Sequence, residues 1–177
     1  MFSKIKVFIL FAVLIIMIIY FLRSPNTPIP TEDPPMPTKL HPLVEEKSNQ
    51  LIKEAKGNGI EIIITDGFRS NVKQDALYAQ GRTEPGDIVT NVKGGNSYHN
   101  YGLAIDFALK VSETEVIWDL TYDGNNNGNS DWLEVVDIAK ELGFTWGGDW
   151  ENFRDYPHLQ YDFGLSIFEL KLGRRPN

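Results

Sequence analysis

Two imidazole–carboxylate pairs are the residues of this chain best suited to chemistry: His99 with Asp106, and His158 with Asp155. They use two of the three histidines present. Two neutral imidazoles and one carboxylate make a three-ligand set for a catalytic zinc, with the fourth position left to water. The second carboxylate could then serve as the base that activates that water. The chain has no cysteine, which excludes a disulfide framework, a thiol nucleophile and thiolate metal ligands. Any tightly held transition metal must therefore use His and Asp/Glu.

The spacing of these residues sets conditions on the elements around them. Fully extended, the seven-residue step from His99 to Asp106 would span over ~20 Å. Both reach one ion only if the chain folds back, and Tyr101-Gly102 is the natural place because glycine accepts turn dihedrals. Asp106 then falls in a strand-like run, Leu103 to Leu109. Alternation puts Ala104, Asp106 and Ala108 on one face and Leu103, Ile105 and Phe107 on the other. The bland alternative for Asp106 is a solvent-facing residue of an edge strand. For His158, which follows Pro157 and so lies outside a helix interior, it is a satisfied structural histidine. His41, before Pro42 at a helix start with no carboxylate motif around it, takes the structural reading.

The other elements follow from local signals. A helix is expected from Pro42 to about Lys56, with proline at its first position and Gly57 and Gly59 ending it. Ile60 to Thr65 reads as a strand, and Asn71 to Gln80 as a helix capped by Ser70. Ile88 to Val92 and Val116 to Leu120 read as short strands, the latter pairing with Leu103–Leu109. Trp132 to Leu142 reads as an amphipathic helix closed by Gly143, and His158 to Phe163 as a final strand. The later strands are too close in sequence for helical crossovers, so the expected class is α+β with a small antiparallel sheet and flanking helices.

The pattern Ser97, His99, Gly102, Ala104 and Asp106, followed by Asp155 and His158, resembles the D-alanyl-D-alanine carboxypeptidase family of zinc peptidases. Gly67-Phe68-Arg69-Ser70 and Trp146-Gly147-Gly148-Asp149-Trp150 fit its branch of peptidoglycan L-alanyl-D-glutamate endopeptidases. The similarity runs from about Leu40 to Gln160. It implies a Hedgehog/DD-peptidase-like fold, zinc held by His99, Asp106 and His158, Asp155 as general base, and Arg69 stabilising the developing oxyanion or substrate carbonyl. Ser97 is a possible substrate-contacting hydroxyl. Trp146 and Trp150 could wall a cleft, with core packing as the alternative, and Asp149 is better suited to positioning a loop than to binding metal. The substrate implied is a peptidoglycan stem peptide, cut at L-Ala–D-Glu. Release of terminal D-Ala, or a non-catalytic zinc-containing wall-binding module, are the alternatives.

Asp123 to Glu134 matches a calcium-loop pattern, with Asp123, Asn125, Asn127, Asn129, Asp131 and Glu134 at the ligand positions and Gly128 at the sharp turn. An exit helix is present, but the entering segment reads as a strand. The alternative is an Asn/Gly-rich hairpin loop that needs no ion.

At 177 residues, 42% hydrophobic and 12% aromatic, the chain has room for one globular domain and an extension. Val7 to Leu22 is an uncharged apolar run, with Lys4 and Lys6 before it and Arg23 after it. It reads as a signal anchor over residues 1–24 that associates with the membrane and leaves the remainder outside the cytoplasm, with a cleaved signal as the alternative. Pro25 to Pro37 holds six prolines and reads as a stiff spacer over 25–38, leaving 39–177 as the folded domain. Net charge is −7, and beyond residue 24 it is −10, from 14 Lys+Arg against 24 Asp+Glu. With no basic block, nucleic acid is not an expected partner.

Overall fold

In the computed structural model, which describes residues 34–176, helix α1 (Pro42–Gly57) begins where the proline signal places it. His41 is its N-cap: its Nδ1 accepts from the backbone N–H of Leu43, meeting a donor the helix itself leaves open. Val44, Ser48, Leu51 and Ala55 form the buried stripe, and Ser48 Oγ offsets its burial by donating to Val44 O at 2.6 Å.

Strand β1 (Ile62–Asp66) follows, then helix α2 (Asn71–Ala79), capped by Ser70 as expected. Strand β2 (Ala104–Lys110) is the centre of an antiparallel sheet of order β1-β2-β5-β4, with β4 Thr145–Trp146 and β5 His158–Gln160. Strand β3 (Val116–Ile117) pairs with the far end of β2. Helix α3 (Asp131–Glu141) precedes β4. Helix α1 packs on β1 and α3. Opposite the Asp106 face of β2, Phe107 is fully buried against Trp132 of α3, with ring centroids 4.4 Å apart. Residues 35–162 form one compact unit. The segment from Phe163 belongs to another and contains the short helix α4 (Ile167–Lys171), closed by a Ser166–Glu169 capping box.

The class expected from the sequence is the one observed, with local corrections. Asp106 lies on a central strand paired on both sides, so the edge-strand alternative fails. No strand forms over Ile88–Val92. There the carbonyls of Thr90 and Val92 accept from the Arg82 and Gln74 side chains, and Ile88 and Val89 are exposed. β5 stops at Gln160, before the positive-φ pair Phe163 and Gly164. β4 and α4 were not expected. The apolar run Val7–Leu22 lies outside the described residues; among those described, no helix is long and apolar enough to cross a membrane.

Because Trp132 is wholly buried against Phe107, Trp132→Ala is expected to lower unfolding stability by about 3–5 kcal/mol. Trp132→Phe should cost far less, since it also removes an indole N–H that has no partner. Urea denaturation checks both; equal costs would show that ring volume is not what this position supplies.

Candidate metal centre

Strand register builds the site. Across three strands, Asp66, Asp106 and His158 face one another in a row: Asp66 opposes Asp106 after a register shift that follows Ile64, and Asp106 opposes His158. Two carboxylates directly opposed repel unless a cation lies between them. Arg69 supplies it, with Nη2 at 2.9 Å from Asp66 Oδ2 and 3.2 Å from Asp106 Oδ2. The same guanidinium donates through Nη1 to Gln74 Oε1. Lys73 adds a second positive charge to Asp66 at 3.1 Å.

His99 arrives from a single 3₁₀ turn (Tyr98–Tyr101), closed by a capping box between Ser97 and Asn100. Gly102 turns the chain into β2 with φ of 68°, and a Cβ there would run into Lys39 O. This is the fold-back that the His99–Asp106 spacing requires. His99 Nδ1 is 2.7 Å from Gly67 O. A carbonyl can only accept, so the proton sits on Nδ1 and the lone pair on Nε2.

His99 Nε2, His158 Nδ1 and Asp106 Oδ1 converge. The two nitrogens are 3.2 Å apart and lie 3.3 and 3.4 Å from the oxygen. Asp106 Oδ1 is enclosed and has no hydrogen-bond donor. Three atoms whose chemistry is to give lone pairs, held together in a buried place, fit a divalent cation, and two imidazoles with one carboxylate fit zinc. Burial pushes the Asp106 carboxyl pKa up, but the two imidazoles beside it, His158 and His99, outweigh burial and hold the group well below the usual carboxylate range. Among the described residues this is the one such cluster of three or more His, Asp or Glu.

Asp155 stands outside the ligand set. Its backbone turns back so that His158 N–H donates to Asp155 O at 3.2 Å, and Asp155 N–H donates to Gly147 O at 3.1 Å. Its carboxyl pKa is raised, first by burial and then by the charge of Asp106, against the pull of His158, His99 and Arg69. Gly147 has no room for a Cβ, which would meet Asp155 O and lie 3.1 Å from the His158 Cβ. Gly147→Ala is therefore expected to push the Asp155–His158 turn away, weakening zinc binding and turnover together while the fold is retained. Zinc content and circular dichroism on one sample test this; an alanine variant with normal metal content and rate would refute it.

The remaining expected residues fall unevenly. The Trp150 ring centroid is 5.2 Å from that of His158, at the rim of the site. Trp146 is a buried strand residue whose Nε1 donates to Tyr156 O. The Ser97 hydroxyl accepts from His99 N–H within the cap. Asp149 pairs with Lys140 at 2.8 Å. Sequence reading missed Asp66, Gln74, Asn100 and Gln160. Gln74 and Asn100 are fully buried: Gln74 ties Arg69 to Thr90 and Val92, and Asn100 Nδ2 donates to Arg69 O. Only Asp66, a carboxylate ahead of a glycine at a strand end, carried a visible signal.

The Asn-rich loop closes on itself. Asn125 and Asn127 donate to Glu134, Asp123 accepts from the N–H groups of Asn127 and Gly128, and Asn129 N–H donates to Asn127 Oδ1. Asp131 accepts from Gly124 N–H through Oδ2 at the start of α3, where the helix dipole favours its charge, and its Oδ1 is buried without a partner. Asp123, Asp131 and Glu134 do not form a second metal-type cluster. The hairpin-loop alternative accounts for most of this pairing, and calcium gains no support from it.

A family model described as D-alanyl-D-alanine carboxypeptidase matches residues 90–161. The chain is 60% identical over 129 residues to the peptidoglycan L-alanyl-D-glutamate endopeptidase CwlK of Bacillus subtilis (strain 168), covering 73% of this chain and 77% of that one. It is 31% identical over 125 residues to the L-alanyl-D-glutamate peptidase of Listeria phage A118, covering 71% of this chain and 39% of that protein. In fold it is similar to DacB from Streptococcus pneumoniae D39, with a TM-score of 0.52 and 21% identity over 79% of this chain and 80% of that one.

Proposed function

This chain belongs to the peptidase family of the D-alanyl-D-alanine carboxypeptidases and peptidoglycan L-alanyl-D-glutamate endopeptidases, and from that premise we propose that it hydrolyses the L-Ala–D-Glu bond of peptidoglycan stem peptides. The observation that carries the chemistry is the convergence of His99 Nε2, His158 Nδ1 and Asp106 Oδ1 beside a partly buried carboxyl, Asp155. Those three residues would hold zinc, which would supply Lewis acidity for the scissile carbonyl and lower the pKa of a water at the site towards ~7. Asp155 accepts the proton of the attacking water and returns it to the leaving amine. Arg69 holds Asp106 in place by its ion pair, and the developing oxyanion draws on the same guanidinium charge. Trp150 borders the stem peptide.

The choice of bond rests on the 60% identity to the Bacillus endopeptidase. The family model's own description supports the second reading, release of terminal D-Ala. Digestion of purified peptidoglycan separates them: new N-terminal D-Glu is expected in the mass spectrum, and free D-Ala without it would replace the first reading with the second. Chelator dialysis should abolish the activity and zinc should restore it, as measured on the same digest.

We place the enzyme outside the cytoplasm, anchored or released. Support comes from the apolar run Val7–Leu22 behind Lys4 and Lys6 and from the Pro-rich spacer after it. Protease accessibility on intact protoplasts tests this; a fully protected domain would argue against it.

A further inference from the structure

His99 and His158 face the metal position through different ring nitrogens, Nε2 and Nδ1, so each needs its proton on the opposite atom. For His99 the matter is settled by a backbone carbonyl, Gly67 O. His158 has a side chain in that place: its Nε2 lies 3.2 Å from Gln160 Oε1. His158 and Gln160 are both buried, at 5% and 8% exposure, so their polar atoms take most of their partners from the protein.

An amide can be turned either way round, and the way it is turned decides what it asks of the imidazole. Gln160 Nε2 donates to Asp162 Oδ2 at 3.4 Å. Asp162 as a carboxylate only accepts. Turning the amide over would set its oxygen against that carboxylate and its NH₂ against His158, which is the arrangement Asp162 opposes. Gln160 therefore presents oxygen to His158, His158 carries its proton on Nε2, and the Nδ1 lone pair points at Asp106 and His99.

We propose that Gln160 is a positioning residue of the metal site, holding His158 as the Nε2–H tautomer, with Asp162 fixing the orientation of the Gln160 amide. The proposal rests on the zinc reading given under Proposed function. Partners of this kind behind a metal-ligating histidine typically change metal affinity by about 10–100-fold when removed.

The test uses the whole 177-residue chain, with zinc affinity measured by competition against a chromophoric chelator and the His158 tautomer read in the metal-free protein by long-range ¹H–¹⁵N correlation. With three histidines in the chain the assignment is tractable. Wild type is expected to show Nε2–H at His158. Gln160→Leu, close in shape but without an acceptor, should bind zinc about 10–100-fold more weakly and populate Nδ1–H. The double variant Gln160→Glu with Asp162→Asn restores an acceptor facing His158 and a donor behind it, and should recover affinity to within about threefold of wild type. Zinc affinity unchanged in Gln160→Leu, or Nδ1–H at His158 in wild type, would overturn the proposal. Should Gln160→Leu fail to fold, the wild-type tautomer and the double variant decide between the same two outcomes. A wild-type chain that binds no zinc would instead bring down the zinc reading itself, a result distinct from normal binding that ignores Gln160.

Discussion

Asp155→Ala is expected to lose stem-peptide hydrolysis by about 10²–10⁴-fold while keeping its zinc, because Asp155 lies outside the ligand cluster yet close enough for its charge to couple to Asp106, His158, His99 and Arg69. A general base contributes through one proton transfer, and its loss leaves metal, ligands and substrate binding in place. The pH profile should carry its signature. Asp155 must be ionised to accept a proton, so kcat/KM in the wild type should fall towards acid as that carboxylate is protonated. The variant should lack that limb. The sign for stability runs the other way. The native carboxyl keeps its proton to higher pH than the unfolded chain does, so metal-free stability should fall as pH rises through the interval above 3.8. Metal analysis, a pH–rate profile and thermal melts on the two proteins test all of this. If the variant loses zinc along with activity, Asp155 is a support for the ligands and not the base.

Asp106→Asn should lose both. The amide oxygen is a weaker, uncharged ligand, and the substitution also removes the carboxylate that pairs with Arg69. Zinc affinity is expected to fall by about a hundredfold or more, at 1.4 kcal/mol per decade, with hydrolysis following occupancy. Thermal stability should remain within reach of the wild type. Arg69 keeps Asp66 and Gln74 as partners, and the core face of β2, with Phe107 on Trp132, is untouched. Excess zinc should recover part of the activity, which separates this variant from Asp155→Ala, where no amount of metal helps. An Asp106→Asn chain that binds zinc normally would remove Asp106 from the ligand set.

Much of the positioning was legible because it is local. Pro42, Ser70, Gly102 and Gly143 mark turns and helix ends through backbone preferences that act within a few residues. The alternation through Leu103–Leu109 put Asp106 on the face opposite Phe107 before any partner strand was known. Ile88–Val92 was misread because a β-rich run becomes a strand only when a neighbour offers a ladder. Here two side chains, Gln74 and Arg82, take its carbonyls instead.

By itself the sequence determined the chemistry available: no thiol, two histidines with carboxylates nearby, a glycine where the chain must turn back, and a class of fold. Only the tertiary structure decided which groups meet. The Asp66–Asp106–His158 row is set by strand register, and a one-residue slip would send Asp106 into the core. The demand for a cation between two carboxylates arises only once β1 and β2 pair and set Asp66 against Asp106, and Arg69, local to Asp66, then reaches the distant Asp106. The proton inventory that turns His158 Nδ1 towards the metal position depends on the same folded geometry. Spacing along a chain constrains neighbours through covalent reach; convergence in space depends on packing that no local pattern encodes.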